Sequence, residues 1–322
     1  MPRVAAAAFR PAIYLSLSRR AAGRAVLAAS PRHEPPDDGA DIWWLPLTYE
    51  AATAAISATS ATSGTSTNPG QRRQHPHQVH RDVSNAFLRH VISHYTSEPV
   101  GALQFSRTEH GKPYLGGGLV KFNMSHADGL VGGTSLHSHS VPFLPPRLTR
   151  LDRSSPFSSV AVSQCEVGID LELQDRRVRK AGNEMRIARR YFTEAETAVI
   201  ERASDEEARR RLFVRMWTLK EAYVKAIGRG IGAPPGLSSF GFDLGPHVSD
   251  DIVFLPGDNE PGRHDAWSFR LLEPVDGSLA ALCLKRPGRR RGEEKEPIVA
   301  SQRFSTLDDV LEDLVKILPT VK

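Results

Sequence analysis

The sequence predicts a mixed α/β fold, and three observations carry that prediction. Short runs of branched and aromatic residues recur along the chain at Asp41–Leu47, Ser158–Leu173, Gly241–Leu244, Ile252–Leu255, Ala266–Leu272 and Leu279–Leu284, and they read as buried or half-buried strands. Segments of helical period lie between and after them. Val83, Phe87, Leu88, Val91 and Ile92 share one face of a helix over Asp82–Tyr95. A charged helical region runs from Arg186 to Ile227 and stops at Gly228 and Gly230, and Ser305–Leu318 is a last amphipathic helix. Finally, 322 residues of which 40% are hydrophobic are enough for one large or two medium domains with a real core.

Composition excludes several classes. No stretch approaches the roughly 20 apolar residues of a transmembrane helix, so a helical membrane protein is ruled out. Cys165 and Cys283 are the two cysteines; they cannot make a disulfide framework or a Cys-based zinc site, and they suit a reducing compartment. The 42 Lys and Arg against 37 Asp and Glu leave a net charge of +5, much of it near the ends, which argues weakly for a polyanionic partner. Met1–His33 holds six arginines and no acidic residue, the composition of an organellar presequence or of a disordered Ala/Arg-rich leader. The expected location is intracellular and soluble: cytosol, or mitochondrion or plastid if the leader is a presequence.

Two irregular stretches interrupt the pattern. Ala51–Thr67 holds Ala, Ser and Thr with one Gly and one Ile, and reads as a flexible insertion that cannot offset its ordering entropy by burial. Gly132–Ser159 has no period and reads as a long loop or an unspliced remnant.

Three groups of residues point to chemistry. In Val167-Gly-Ile-Asp-Leu-Glu172, strand alternation puts Asp170 and Glu172 on one face. Two carboxylates there suit an oxygen-liganded cation such as Mg²⁺, or a solvated strand face. In Trp217-Thr-Leu-Lys-Glu-Ala-Tyr-Val-Lys225, Trp217, Glu221 and Lys225 stack along one helix face with Lys220 beside them. That arrangement supplies a third carboxylate and two cations near a phosphate, or an ordinary surface ion pair. In Glu109-His-Gly-Lys-Pro113 and Phe122-Asn-Met-Ser-His126, a Gly/Pro turn could lie against a flat ligand, and Ser125 and His126 can donate to a phosphate. The same residues also fit a plain turn into a strand.

Taken in order, G-K-P, F-N-x-S-H, G-x-D-x-E and W-x-x-K-E-A-x-x-K-x-x-G-x-G, these motifs span residues 111 to 230 and resemble the Sfp-type 4′-phosphopantetheinyl transferases, the holo-acyl-carrier-protein synthase superfamily. The resemblance implies two similar α/β halves related by a pseudo-twofold, with coenzyme A between them. It divides the chain into a leader (1–40), an N-terminal half (41–165) with flexible insertions near 51–80 and 132–159, a C-terminal half (166–285) carrying the metal site, and a basic linker with the terminal helix (286–322). It further implies attack by a carrier-protein serine on the β-phosphate of coenzyme A, with release of adenosine 3′,5′-bisphosphate. Asp170, Glu172 and Glu221 would hold Mg²⁺, Glu221 would deprotonate the serine, and Lys225 would serve the leaving group. Lys220 would lie near the phosphates. Gly111, Lys112 and Pro113 would contact adenine, and Ser125 and His126 the phosphates. Arg81, or Arg72 or Arg73, would reach the 3′-phosphate.

The expected protein is therefore a monomeric enzyme acting on coenzyme A and on acyl carrier protein or carrier domains of fatty acid, lysine or polyketide synthesis, with no nucleic-acid or membrane partner. Arg186, Arg189, Arg190, Arg209, Arg210 and Arg211 offer either a docking face for an acidic carrier helix or a solvated surface. Two rival readings use the same residues: a Mg²⁺-dependent phosphodiesterase with water as nucleophile, and a nucleic-acid-binding protein using the basic leader and Lys285–Arg291. One departure from the pattern is Asn85, where many relatives carry an arginine. Another is the insertion after Val131, which interrupts a strand pair the family joins directly.

Overall fold

The computed structural model describes residues 34–46, 76–127, 157–174, 183–233, 236–245, 252–257, 266–285, 299–305, 309, 310 and 313. They belong to one compact unit, His33–Lys322. The leader, the Ala51–Thr67 insertion, Gly132–Pro156, the basic linker and most of the terminal helix lie outside the described residues.

Strand β1 (Ala40–Pro46) is followed by helix α1 (Pro76–Ser93), a small hairpin of β2 (Phe105–Arg107) and β3 (Pro113–Leu115), and strands β4 (Lys121–Ala127) and β5 (Phe157–Ser163). The order then repeats. Strand β6 (Val167–Leu173) leads to helices α2 (Asn183–Tyr191), α3 (Glu194–Glu201) and α4 (Glu206–Ile227), to a hairpin of β7 (Gly241–Leu244) and β8 (Ile252–Leu255), and to strands β9 (Trp267–Leu272) and β10 (Ser278–Lys285). Strand order repeats as well, β1-β5-β4 in one sheet and β6-β10-β9 in the other. The connectivity is thus that of two similar halves.

Each sheet is covered on both faces, which is why its strands read as almost unbroken apolar runs rather than alternating ones. Trp43 and Leu45 of β1, with Val160, Val162 and Phe122, pack under Val83, Phe87, Val91 and Ile92 of α1. On the opposite face, Ile42, Trp44 and Ala161 meet Val167, Ile169 and Leu171 of β6 and Ala280 and Leu282 of β10. The far side of β10, Leu279, Ala281 and Cys283, packs on α4. The layers run helix, sheet, sheet, helix.

Two expectations change. The Ser158–Leu173 run, which by itself fits a strand hairpin, is two strands of different sheets: β5 pairs with β1 and β4, and β6 pairs with β10. The Gln164–Glu166 linker carries the chain from one sheet to the other, and its Gln164 amide donates to Pro36 O. The single helical region of 186–227 is three helices, because Thr193 and Asp205 adopt extended backbone and cap α3 and α4 with their side chains. A strand absent from the sequence reading, β11 (Val299–Phe304), pairs in parallel with β1. No helix among the described residues is long and apolar enough to cross a membrane.

Gly168 sets the approach of α4 to β6. A Cβ there would fall well inside van der Waals contact with the Ala222 carbonyl oxygen and the Ala226 amide nitrogen, backbone atoms that can yield only if the helix moves. Gly168→Ala is expected to lower stability by about 1–3 kcal/mol, read as a reduced urea midpoint.

Beside β1, the His94 ring lies 4.8 Å from Trp43 and 4.8 Å from His90. Burial holds its pKa below the usual 6.5, against the hydrogen bond to the His90 carbonyl, with the charges of His90 and Arg303 adding to the lowering. The unfolded chain therefore takes up this proton first as pH falls, so the contribution is complete above about pH 6.5 and is lost as pH drops toward the folded-state value. Urea midpoints should fall between pH 7 and pH 5, and His94→Gln should flatten that slope.

Candidate functional site

The two sheets meet edge to edge where β4 runs beside β6. No backbone ladder joins these strands. Instead, side chains of β4 reach the β6 edge: the Ile169 amide donates to Asn123 Oδ1 (3.0 Å) and the Leu171 amide to Ser125 Oγ (3.1 Å). Asn123 and Ser125 are two residues apart, and therefore on one side of β4, and both are buried. They satisfy an edge that would otherwise bury unpaired N–H groups.

Asp170 lies on β6 between those two amides, its side chain 7% exposed. Its Oδ1 accepts from the Lys225 ammonium at 2.7 Å and from the Ser125 hydroxyl at 3.1 Å. Lys225 also donates to Ser125 Oγ at 2.9 Å. The serine hydroxyl is thereby saturated, giving its proton to Asp170 and accepting from Lys225 and from the Leu171 amide. Asp170 Oδ2 is buried with no hydrogen-bond partner among the described residues. Glu172 is half-buried two residues along the strand, and Glu221 is buried one turn before Lys225 on α4.

A buried carboxylate oxygen without a donor fits a hard cation, and Mg²⁺ commonly takes one or two carboxylates and completes its shell with water and phosphate. Among the described residues, however, no group of three His, Cys, Asp or Glu is placed to hold a metal ion. Asp170, Glu172 and Glu221 are the carboxylates implied for that role, and Lys225 lies against Asp170 as its counter-ion. Asp170 is the residue whose environment fits a cation.

Lys220 departs from its expected place. Rather than lying near phosphates, it is fully buried. Its ammonium pairs with Glu196 Oε2 at 2.9 Å and donates to Leu237 O at 2.8 Å and Phe240 O at 2.5 Å, which uses all its protons, and it lies 4.5 Å from the Phe240 ring centroid. Burial pushes its pKa down, against the pull of Glu196. Glu196 closes the capping box at Thr193 and accepts the Phe242 amide. One ion pair therefore ties α4 to the start of α3, to the loop before β7 and to β7 itself. The T-x-x-E box at Thr193–Glu196 was readable in the sequence; its lysine partner was not.

Lys112 also works structurally. Its ammonium donates to the Ala226 carbonyl at 2.7 Å and to Glu166 Oε2 at 3.1 Å, so a residue of the β2–β3 hairpin satisfies an orphan carbonyl at the end of α4. Burial lowers its pKa, offset by Glu166. Burial alone would raise the pKa of Glu166, but Lys112 and Lys121 together hold it below the ordinary value. Gly228 caps α4 in the left-handed region at φ 71°, and a Cβ there would meet Lys112 Cδ at 3.1 Å. Gly111, φ 85°, turns the hairpin and is exposed, with Lys112 and Pro113 half-buried beside it. His126 is exposed next to Ser125, while the Arg81 side chain lies outside the described residues. Of the arginines on α2 and α4, Arg189 pairs with Glu201, Arg210 with Glu206 and Arg211 with Glu207, so much of that charge is neutralised locally.

Comparison with known proteins adds a consistent result. Residues 166–283 match the family model of the 4′-phosphopantetheinyl transferase superfamily. The chain is 27% identical, over 65% of its length and 71% of the relative's, to the 4′-phosphopantetheinyl transferase HetI of a Nostoc species. It is 24% identical, over 72% and 71%, to human L-aminoadipate-semialdehyde dehydrogenase-phosphopantetheinyl transferase. It is 23% identical, over 67% and 79%, to the 4′-phosphopantetheinyl transferase Sfp of Bacillus subtilis.

Lys220→Met would leave Glu196 charged and buried without its partner, which should remove about 3–5 kcal/mol of stability in urea titration. Combining it with Glu196→Gln should recover part of that loss.

Proposed function

We propose that this chain, whose residues 166–283 match the family model of the 4′-phosphopantetheinyl transferase superfamily, transfers the 4′-phosphopantetheine group of coenzyme A to a serine of a carrier protein. The observation that carries this reading is the Asp170, Ser125 and Lys225 cluster at the seam of the two halves. A carboxylate and an ammonium held side by side suit a reaction whose demand is positioning and charge neutralisation rather than covalent catalysis.

In the transfer, the serine oxygen forms a bond to the β-phosphorus and the bond to the leaving phosphate oxygen breaks. The serine proton passes to a base and adenosine 3′,5′-bisphosphate departs. Glu221, buried on α4, is the proposed base. Lys225, on the same face one turn later, supplies positive charge where the leaving oxygen gains negative charge. Asp170 is the residue that would hold Mg²⁺, with Glu172 and Glu221 as the further carboxylates the family pattern points to. When bound, the ion would neutralise pyrophosphate charge. The Gly111–Pro113 turn, exposed at Gly111, and the exposed His126 are the proposed contacts of the nucleotide, together with Arg81. Ser125 acts here by orienting Asp170 and Lys225.

The direct test is the intact mass of apo acyl carrier protein, and of an aminoadipate-type carrier domain, after incubation with the chain, coenzyme A and Mg²⁺. The expected result is a gain of one phosphopantetheine that EDTA prevents. Asp170→Asn should lower transfer by at least about 100-fold, while Lys225→Ala should reduce kcat more than it raises KM. Consumption of coenzyme A without any mass gain on either carrier would favour the phosphodiesterase reading instead.

A further inference from the structure

We propose that Lys225 serves the ligand-free protein as the built-in counter-ion of Asp170 and competes there with a divalent cation. The cation would then gain Asp170 fully only when an anionic ligand draws the ammonium away. This rests on the reading of Asp170 as the cation-holding residue and adds to it an order of events.

The geometry carries the inference. Burying a carboxylate as deeply as Asp170 is costly without a compensating charge, and the 2.7 Å contact to Lys225 supplies it. That compensation falls on one oxygen. The Ser125 hydroxyl and the Lys225 ammonium both converge on Oδ1, while Oδ2 is buried with no hydrogen-bond partner among the described residues. A divalent cation at Oδ2 would face a positive ammonium across the width of one carboxylate, in a site shielded from water, where like charges repel strongly. The ammonium nevertheless has somewhere to go. Lys225 lies in the last turn of α4, its side chain is 28% exposed, and its long stem can turn toward a phosphate without moving the backbone. Asp170, by contrast, sits inside a strand and cannot follow.

The result is a seam that is electrically balanced before substrate arrives and is rebalanced by it: the anion takes Lys225, and the cation takes Asp170. By linkage, whatever factor the anion adds to metal affinity, the metal adds to anion affinity.

The experiment measures Mn²⁺ binding to the full chain without coenzyme A at low ionic strength, from the paramagnetic resonance signal of the free ion. Wild type should bind weakly. Lys225→Met and Lys225→Gln, two independent neutral replacements, should each bind at least about tenfold more tightly, Lys225→Arg should resemble wild type, and adding Asp170→Asn should abolish the gain. Thermal melts identify any variant that has not folded. Equal Mn²⁺ affinity in wild type and the folded neutral variants would overturn the proposal, as would tightening that survives Asp170→Asn or no saturable binding in any of them. The carrier mass assay separates this from the proposed function: transfer with unchanged Mn²⁺ affinity would remove the competition alone, and competition without transfer would remove the function alone.

Discussion

The arrangement depends on how two sheet edges are joined at β4 and β6. Backbone pairing would have made one continuous sheet and left no room between the halves. Asn123 and Ser125 instead meet the Ile169 and Leu171 amides with side-chain oxygens. The spacer they introduce is polar, buried and orientable, and it places a serine hydroxyl directly against Asp170. The same device therefore satisfies the edge and builds the site. It also accounts for the S-H motif in physical terms, because the serine position needs a short side chain that can donate once and accept twice.

Helix α4 brings the second half of the cluster, and its position is over-determined. Gly168 lets it lie against β6 at backbone contact, Lys220 pins its middle through Glu196, and Lys112 ties its last turn to the β2–β3 hairpin. Trp217 adds an aromatic anchor, stacked 6.0 Å from Phe213 and edge-on to Tyr191 at 6.1 Å. Long polar side chains are flexible in isolation, so holding Lys225 within hydrogen-bond reach of both Ser125 and Asp170 requires a helix that does not shift. The motif W-x-x-K-E-A-x-x-K thus divides its labour: Lys220 is buried and fixes the helix, while Lys225 reaches the seam.

Charge on the outer helices tells a quieter story. Three of the six arginines that look like a basic surface in the sequence, Arg189, Arg210 and Arg211, are spent on glutamates of their own helix or of the neighbouring one. An i, i+4 partner lowers the local field and leaves recognition of an acidic partner to depend on more than a count of basic residues.

Much of this protein was determined by its sequence alone. Branched apolar runs and helical periods located most of the strands and helix α1, since those patterns follow from the geometry of each element, and motif order carried the resemblance to the superfamily whose model residues 166–283 match. Tertiary structure decided the rest. The Ser158–Leu173 strands could not be assigned to different sheets from local pattern, because pairing partners are chosen by packing over long distances. Strand β11 was hidden because Val299–Phe304 is an exposed edge segment without an apolar signature. Lys220 read as a cation near the phosphates and Lys112 as part of an adenine-contacting turn because sequence reports a side chain's charge and not its burial, and the fold spends both on carbonyls and carboxylates that become neighbours only in the tertiary structure.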